Sequence, residues 1–132
     1  MIVDSSALIA VLLREPGWED LLDHLSEADY VGVGAPTLVE SGIVLTARAG
    51  IAGKTLLARM VQEGDFEIVP LTHEHWSIAV DAYVRFGKGR HRAALNFGDC
   101  LTYAVSRLAD EPLLFVGDDF TQTDLAVAGA EG

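Results

Sequence analysis

The sequence predicts an α/β fold in which a central, mainly parallel sheet of four to five strands carries helices on both faces. Short apolar segments alternate along the chain with helical segments, and this order is typical of right-handed βαβ units. Half of the 132 residues are hydrophobic, which is enough to form a packed core. The length is that of one domain, so we expect residues 1–132 to form a single domain.

The predicted strands are short apolar runs that end at glycine, aspartate or proline. Four of them are separated by helical segments, and the parallel arrangement follows from that separation. A fifth, at the end of the chain, would form an edge strand. The predicted strands cover residues 2–3, 30–33, 66–69, 113–116 and 125–127.

The predicted helices begin at residues that favour helix starts and end at glycine or proline. Four of them cover residues 6–13, 18–28, 36–49 and 54–62. Thr72 and Asn96 are predicted to cap two more helices. Apolar residues of the helix after Thr72 recur at i, i+3, i+4, i+7 and i+8, which predicts an amphipathic helix; they are Trp76, Ala79, Val80, Tyr83 and Val84.

Composition excludes several classes of protein. A single cysteine, Cys100, permits neither an internal disulfide nor a thiolate zinc cluster, as expected in a reducing cytoplasm. The apolar N-terminus contains Asp4 and lacks a preceding basic region, so we do not interpret it as a signal peptide. No apolar run approaches the roughly 20 residues that span a bilayer, and we expect a cytoplasmic protein without membrane contact.

Five acidic residues differ from the others in their surroundings. Asp4, Glu40 and Asp99 are each the only charged residue within a long apolar segment, and Asp118 and Asp119 directly follow an apolar strand. In a parallel sheet, sites form outside the carboxyl ends of the strands. Each of these acids lies at such a strand end or in the first turn of a neighbouring helix, so we expect them to gather there.

An isolated buried charge costs several kcal/mol unless it is paired. Few basic residues lie near these acids in sequence, whereas one Mg²⁺ or Mn²⁺ ion would satisfy several carboxylates together. A metal-activated water that attacks phosphorus is the chemistry that follows. The hydroxyls of Ser5, Ser6 and Thr37 could orient water or a phosphate oxygen.

Helix capping is the alternative role for three of these acids. Asp4 could cap the first helix, Asp99 could complete a capping box with Asn96, and Asp118 could cap a final turn. Glu40 lacks this alternative beyond a favourable position in the helix dipole. Capping and metal binding are compatible, because helix N-termini attract anionic groups.

Four motifs in series resemble the PIN-domain family, and more narrowly its VapC-type toxins: MIVDSSALIAVLL, PTLVE, LNFGDCLTYAVS and LLFVGDDFTQTDL. The resemblance covers nearly the whole chain. It implies a three-layer α/β/α PIN-like fold and an Mg²⁺- or Mn²⁺-dependent endoribonuclease that acts as the toxin of a type II toxin–antitoxin system. The implied RNA substrate is transfer, ribosomal or messenger RNA.

The resemblance also implies roles for individual residues. Asp4 and Asp99 become the expected direct metal ligands, and Glu40 holds a second metal or positions water. One of Asp118 and Asp119 becomes the last site acid, and that choice stays open. Ser6 and Asn96 match positions that line the family's site. The implied partners are a second copy of the chain and a VapB-like antitoxin that supplies a basic side chain to the acidic pocket.

The formal net charge of −11 opposes RNA binding over most of the surface, since phosphate contacts rely on basic residues, but it suits a basic protein partner. Four of the nine basic residues lie within eight positions: Arg85, Lys88, Arg90 and Arg92. We interpret residues 87–95 as a basic loop in which Lys88, Arg90 and Arg92 guide RNA. A solvated loop without that role is the alternative.

Two other functions fit the sequence less well. A phosphatase of the haloacid-dehalogenase type needs an aspartate two residues after Asp4, where this chain has Ser6. A catalytically degenerate PIN-like domain that only binds protein is the non-enzymatic alternative, and the retained acids oppose it.

Overall fold

The structure, a computed structural model, describes residues 1–128. Four strands alternate with six helices in the order that the sequence predicts. The strands are β1 (Ile2–Val3), β2 (Gly32–Gly34), β3 (Glu67–Val69) and β4 (Leu113–Leu114). The helices are α1 (Ser5–Leu12), α2 (Trp18–Glu27), α3 (Ala35–Ala49), α4 (Ile51–Glu63), α5 (His73–Phe86) and α6 (Phe97–Ala109), and a 3₁₀ turn covers Phe120–Gln122.

The four strands form one parallel sheet in the order β3-β2-β1-β4. Ile2 in β1 lies beside Gly32 of β2 and Leu113 of β4. The prediction of an edge strand at residues 125–127 is wrong, because only Val127 makes a bridge there, to Leu113. β4 is only two residues long. On this side of the sheet, within residues 1–128, its Leu113 alone forms backbone hydrogen bonds, donating to the Ala126 carbonyl and accepting from the Ala128 N–H.

Successive side chains of a strand point to opposite faces of the sheet, and this alternation divides the core in two. Ile2 and Leu113 belong to a cluster with residues of α5 and α6. Val3 and Leu114 belong to a second cluster with residues of α1 to α4. The structure therefore confirms the three-layer arrangement, with the sheet between two groups of helices.

Helix α5 does not bury the apolar stripe that the sequence pattern marks as its core-facing side. Trp76 is 61% exposed, and Val80, Tyr83 and Val84 are exposed as well, whereas Ala79 is buried. The helix buries His75, Ala79, Ala82 and Phe86 instead. Small alanine side chains let α5 approach α6 closely, and the bulky apolar stripe lies on the outside.

Helix α4 begins at Ile51, three residues before the predicted start. Gly50 has a φ of 71° and is the boundary of both α3 and α4. A Cβ at Gly53 would lie 2.5 Å from the Leu45 carbonyl oxygen, so a glycine allows the two helices to meet this closely. In residues 1–128 no helix has both the length and the apolar character needed to cross a bilayer.

Candidate active site

The parallel sheet brings the carboxyl ends of its strands to one edge, and the candidate acids lie there. Asp4 directly follows β1, and Asp119 lies in the segment after β4. Glu40 is in the second turn of α3, the helix that follows β2. Asp99 is in the first turn of α6. Four acids that are distant in sequence are thus neighbours at this edge.

Asp4 is the most buried of these acids, with 5% of its surface exposed. Its Oδ2 accepts hydrogen bonds from the backbone N–H of Ser6 (3.1 Å) and from Ser6 Oγ (2.7 Å), which makes it the cap of α1. Its Oδ1 accepts a hydrogen bond from Thr102 Oγ1 at 2.9 Å. No basic group of residues 1–128 forms an ion pair with Asp4, so its charge is held by neutral donors alone.

Three hydroxyls connect the elements around Asp4. Ser6 Oγ accepts a hydrogen bond from the backbone N–H of Val116 at 2.9 Å, which ties the segment after β4 to α1. The Thr37 and Thr102 hydroxyls lie 3.3 Å apart in the interior. Sequence reasoning missed Thr102, although it follows Asp99 by three residues and therefore shares its face of α6.

Asp99 combines capping with an unusual electrostatic environment. Its carboxylate accepts a hydrogen bond from the Asn96 backbone N–H (3.1 Å), and Asn96 Oδ1 accepts one from the Asp99 N–H (2.9 Å), which completes the predicted capping box. Burial raises the pKa of Asp99 to about 6; the hydrogen bond from Asn96 opposes this rise, and the charges of Asp4, Asp119 and Glu40 add to it.

Glu40 faces the N-terminus of α6 from an exposed position on α3. A Cβ at Gly98 would lie 2.8 Å from Glu40 Oε1 and 3.0 Å from Oε2, so the missing side chain of Gly98 leaves room for this carboxylate. Partial removal from solvent raises the pKa of Glu40, the charge of Asp4 raises it further, and the Ser5 hydroxyl opposes both.

The two neighbouring acids after β4 differ in their relation to the site. The charge of Asp119 contributes to the raised pKa of Asp99, whereas Asp118 is not among the groups that shift it. The following 3₁₀ turn has Asp119, not Asp118, as its N-cap residue and no side-chain hydrogen bond at this cap, so the capping role considered for Asp118 is not observed. Its backbone carbonyl instead accepts a hydrogen bond from Thr121 Oγ1 at 2.6 Å.

The donor set at this edge suits a hydrated divalent cation. Within residues 1–128, no three acid, histidine or cysteine side chains are arranged to hold a metal ion together. Mg²⁺ commonly keeps several waters and uses one or two carboxylates directly. Asp4 is a buried carboxylate without an ion-pair partner among residues 1–128, and burial together with like charges raises the pKa of Asp99. These residues therefore fit such a cation, with Asp4 and Asp99 as candidate direct ligands.

The basic loop lies between α5 and α6 and leads directly into the Asn96 cap. A bridge between Gly87 and Leu95 closes it. Arg90 Nε donates to the Val84 carbonyl at 3.3 Å, and in the part of the chain that the structure covers neither Arg90, Lys88 nor Arg92 forms an ion pair. Three exposed basic residues thus lie on the segment that precedes Asp99.

Arg85, the fourth base of the sequence cluster, has a different environment. Its Nη2 donates to Asp124 Oδ2 at 3.0 Å. This ion pair ties α5 to the segment after β4, so Arg85 is not a free cation of the basic loop.

Comparison with known families decides the identity of the fold. The sequence model of the PIN-domain family matches residues 1–125. The chain belongs to the PIN-domain family. Ribonuclease VapC36 of Mycobacterium tuberculosis is 46% identical to it over 133 residues, which cover 100% of this chain and 96% of that protein. The PIN domain described here is therefore a member of the VapC group.

Solved structures show the same PIN-domain fold. VapC20 of M. tuberculosis, described as a sarcin-ricin loop cleaving toxin, superposes with a TM-score of 0.77 at 19% identity over 95% of each chain. VapBC2 of Rickettsia felis, solved with a DNA fragment from its promoter, gives a TM-score of 0.75 at 9% identity over 96% of this chain and 94% of that chain.

Proposed function

We propose that this PIN domain is the toxin of a VapBC-like toxin–antitoxin pair, and that it is an endoribonuclease that uses Mg²⁺ or Mn²⁺ to hydrolyse phosphodiester bonds in RNA. The observation that carries the proposal is the gathering of Asp4, Glu40, Asp99 and Asp119 at one sheet edge, where burial raises the pKa of Asp99 and the charges of the other three acids raise it further. Such repulsion is relieved by a cation, and the related VapC36 is named a ribonuclease.

Each acid has a distinct part in the proposed reaction. Asp4 and Asp99 would hold the cation, and the hydroxyls of Ser6 and Thr102 hold Asp4 in its orientation. Glu40, the more exposed carboxylate, would orient the attacking water and accept its proton. A metal held there would lower the pKa of water and offset the charge of the scissile phosphate.

Electrostatics favours Asp119 over Asp118 as the last acid. Of the two, Asp119 is the one whose charge contributes to the raised pKa of Asp99, which supports Asp119 as the acid that would face the cation. Asp118 precedes it on the same exposed segment. Asn96 lines the site as the cap that fixes the start of α6.

RNA reaches this acidic edge through the basic loop in our proposal. The chain carries a net charge of −11, so the RNA backbone is repelled from most of the surface. Lys88, Arg90 and Arg92 are the exposed basic residues on the segment that leads to Asp99. Contacts from these three side chains to phosphates would guide the strand toward the metal.

The proposed partners follow from the same charge balance and from the relatives. The structural neighbour from R. felis is a VapBC complex, which supports a VapB-like antitoxin for this chain. A basic antitoxin segment is complementary to the acidic edge. We also propose a homodimer and a cytoplasmic location, as expected for a toxin that acts on cellular RNA.

The decisive experiment measures RNA cleavage by the purified protein with Mg²⁺ or Mn²⁺, with EDTA, and with Asp99→Asn. Cleavage is expected only in the first condition. Glu63→Gln is the matched control, because it removes a carboxylate from an exposed pair with Arg59 on α4 and should leave cleavage intact. Cleavage that persists in EDTA and in Asp99→Asn would overturn the metal mechanism. A protein that binds its antitoxin but never cleaves RNA would be a degenerate binding module.

A further inference from the structure

The segment that carries Asp118 and Asp119 has little secondary structure of its own. It leaves β4 after Leu114 and returns to the sheet edge at Val127. Between these points it contains one 3₁₀ turn and a glycine, Gly117, with a φ of 106°. Few backbone hydrogen bonds hold such a segment, so side-chain anchors determine where Asp119 lies. We refer to residues 115–127 as the acid loop.

Apolar side chains provide one set of anchors for the acid loop. Phe120 is 3% exposed and Leu125 is 9% exposed. The rings of Phe115 and Phe120 pack edge to face with centroids 5.2 Å apart. These contacts hold the loop on the α5–α6 side of the sheet, but apolar packing is not directional.

Asp124 provides a directional anchor on the C-terminal side of Asp119, as the Val116 N–H, which donates to Ser6 Oγ, does on the N-terminal side. Tyr103 Oη donates to Asp124 Oδ1 at 2.6 Å. Arg85 and Arg107 place Nη2 atoms 3.0 and 3.3 Å from Oδ2. Burial by itself raises the pKa of Asp124, but these three partners outweigh it and hold the pKa below its ordinary value. Asp124 is therefore ionised, and each of its oxygens has a charge-assisted partner.

Helix α6 joins this anchor to the rest of the site through adjacent residues. Tyr103 donates to Asp124 of the acid loop, and Thr102 donates to Asp4 at the end of β1. Asp99 lies in the first turn of the same helix. Helix α6 thus helps to position Asp4 after β1, carries Asp99 itself, and contacts the loop that carries Asp119.

We propose that Asp124, clamped by Tyr103, Arg85 and Arg107, is a positioning residue that holds Asp119 near Asp99. This inference rests on the proposed metal-dependent function of the site. Asp124 does not touch the proposed reacting atoms; it acts through the acid loop, five residues from Asp119. Loss of the clamp should leave both cores and the sheet intact and let the acid loop move.

Tyr103→Phe is the most specific test, because it removes one hydroxyl and keeps the ring. Tyr30→Phe is the matched control: Tyr30 also donates a hydrogen bond to a carboxylate, that of Glu67, but at the amino ends of the strands, away from the acids. Asp124→Asn is the second variant. The measurements are Mn²⁺ affinity by calorimetry, amide hydrogen exchange of residues 118–122, and RNA cleavage.

In Tyr103→Phe and Asp124→Asn we expect faster exchange at residues 118–122 and Mn²⁺ binding that is about tenfold weaker, as for other outer-shell changes. Tyr30→Phe should match the wild type in both. Unchanged Mn²⁺ affinity in the two clamp variants would overturn the inference, even if exchange is faster. A wild type that neither binds Mn²⁺ nor cleaves RNA would instead refute the proposed function.

Discussion

Thr102 Oγ1 donates a 2.9 Å hydrogen bond to Asp4 Oδ1 across 98 positions of sequence. Both side chains are buried, with 1% and 5% of their surface exposed. The bond joins the residue after β1 to α6. Together with the two bonds from Ser6 to Oδ2, it fixes the orientation of the carboxylate that we assign to the cation.

Thr102→Val tests this orientation with nearly the same side-chain shape. We expect Mn²⁺ binding and RNA cleavage to weaken by about tenfold, because outer-shell partners orient metal ligands. Leaving Asp4 short of a donor should also cost about 1–3 kcal/mol of unfolding free energy. Calorimetry and urea denaturation measure the two effects. Thr102→Ser keeps the hydroxyl and should retain wild-type affinity; equal losses in both variants would show that packing alone is responsible.

Gly98→Ala tests the space that Gly98 leaves for Glu40. The new Cβ would lie 2.8 Å from Glu40 Oε1, but a flexible side chain can move away, and alanine favours a helix by about 1 kcal/mol over glycine. We expect a protein at least as stable as the wild type with cleavage reduced about tenfold or more, because a small displacement of a catalytic group is costly. Thermal denaturation and RNA cleavage assays measure this.

Gly42→Ala is the control for that substitution. Gly42 lies within α3, and its added Cβ would meet only Leu57 Cδ2 at 3.7 Å, which is ordinary contact. This variant should gain stability and keep full activity. If Gly98→Ala also keeps full activity, the position of Glu40 does not matter for cleavage as proposed.

Asp99→Asn should change the pH dependence of stability. The folded protein holds the Asp99 proton up to about pH 6, because burial and neighbouring acids raise its pKa from 3.8. The unfolded chain releases that proton near pH 4, so the wild type loses stability as pH rises from about 4 to 6. Asparagine is neutral at every pH. In EDTA at pH 7.5, Asp99→Asn should therefore be the more stable protein.

The expected gain at pH 7.5 is about 1 kcal/mol, discounted because Asp99 is partly exposed and solvent screens its interactions. At pH 4 the two proteins should be nearly equal. Urea denaturation at both pH values measures this difference. Added Mn²⁺ should reverse the order at pH 7.5, because it stabilises only a protein that binds it. A difference independent of pH would contradict the assigned titration.

Arg90→Ala with Arg92→Ala tests the basic loop as the guide for RNA. In the Asp99→Asn background, RNA should bind more weakly, and the slope of log affinity against log salt should fall by about 0.7 for each lost phosphate contact. Mn²⁺ affinity is measured in the double variant that keeps Asp99, and it should change less than RNA affinity. Filter binding across a salt series provides the measurement.

Arg48→Ala with Arg59→Ala is the charge-matched control for the basic loop. These arginines lie on α3 and α4 and pair with Glu15 and Glu63, so their loss changes the net charge equally without touching the loop. If RNA affinity falls equally in both double variants, the loss is due to net charge and not to the basic loop.

Much of the fold and of the candidate site could be predicted without coordinates. The alternation of short apolar runs with helical segments predicted the parallel sheet, because each βαβ unit has one favourable handedness. The isolation of Asp4, Glu40 and Asp99 in apolar segments marked them, because a lone charge is expensive to bury. The structure brings these three to the same edge of the sheet. Both arguments need only local sequence.

The tertiary structure decided what depends on distances between remote segments. In the structure the charge of Asp119 contributes to the raised pKa of Asp99, and Arg85 pairs with Asp124 instead of serving as a free cation of the basic loop. It also turns the Trp76 stripe of α5 outward, because the helix packs through its alanines. Periodicity determines that a helix has an apolar side, but only the packing of neighbouring elements determines which side is covered.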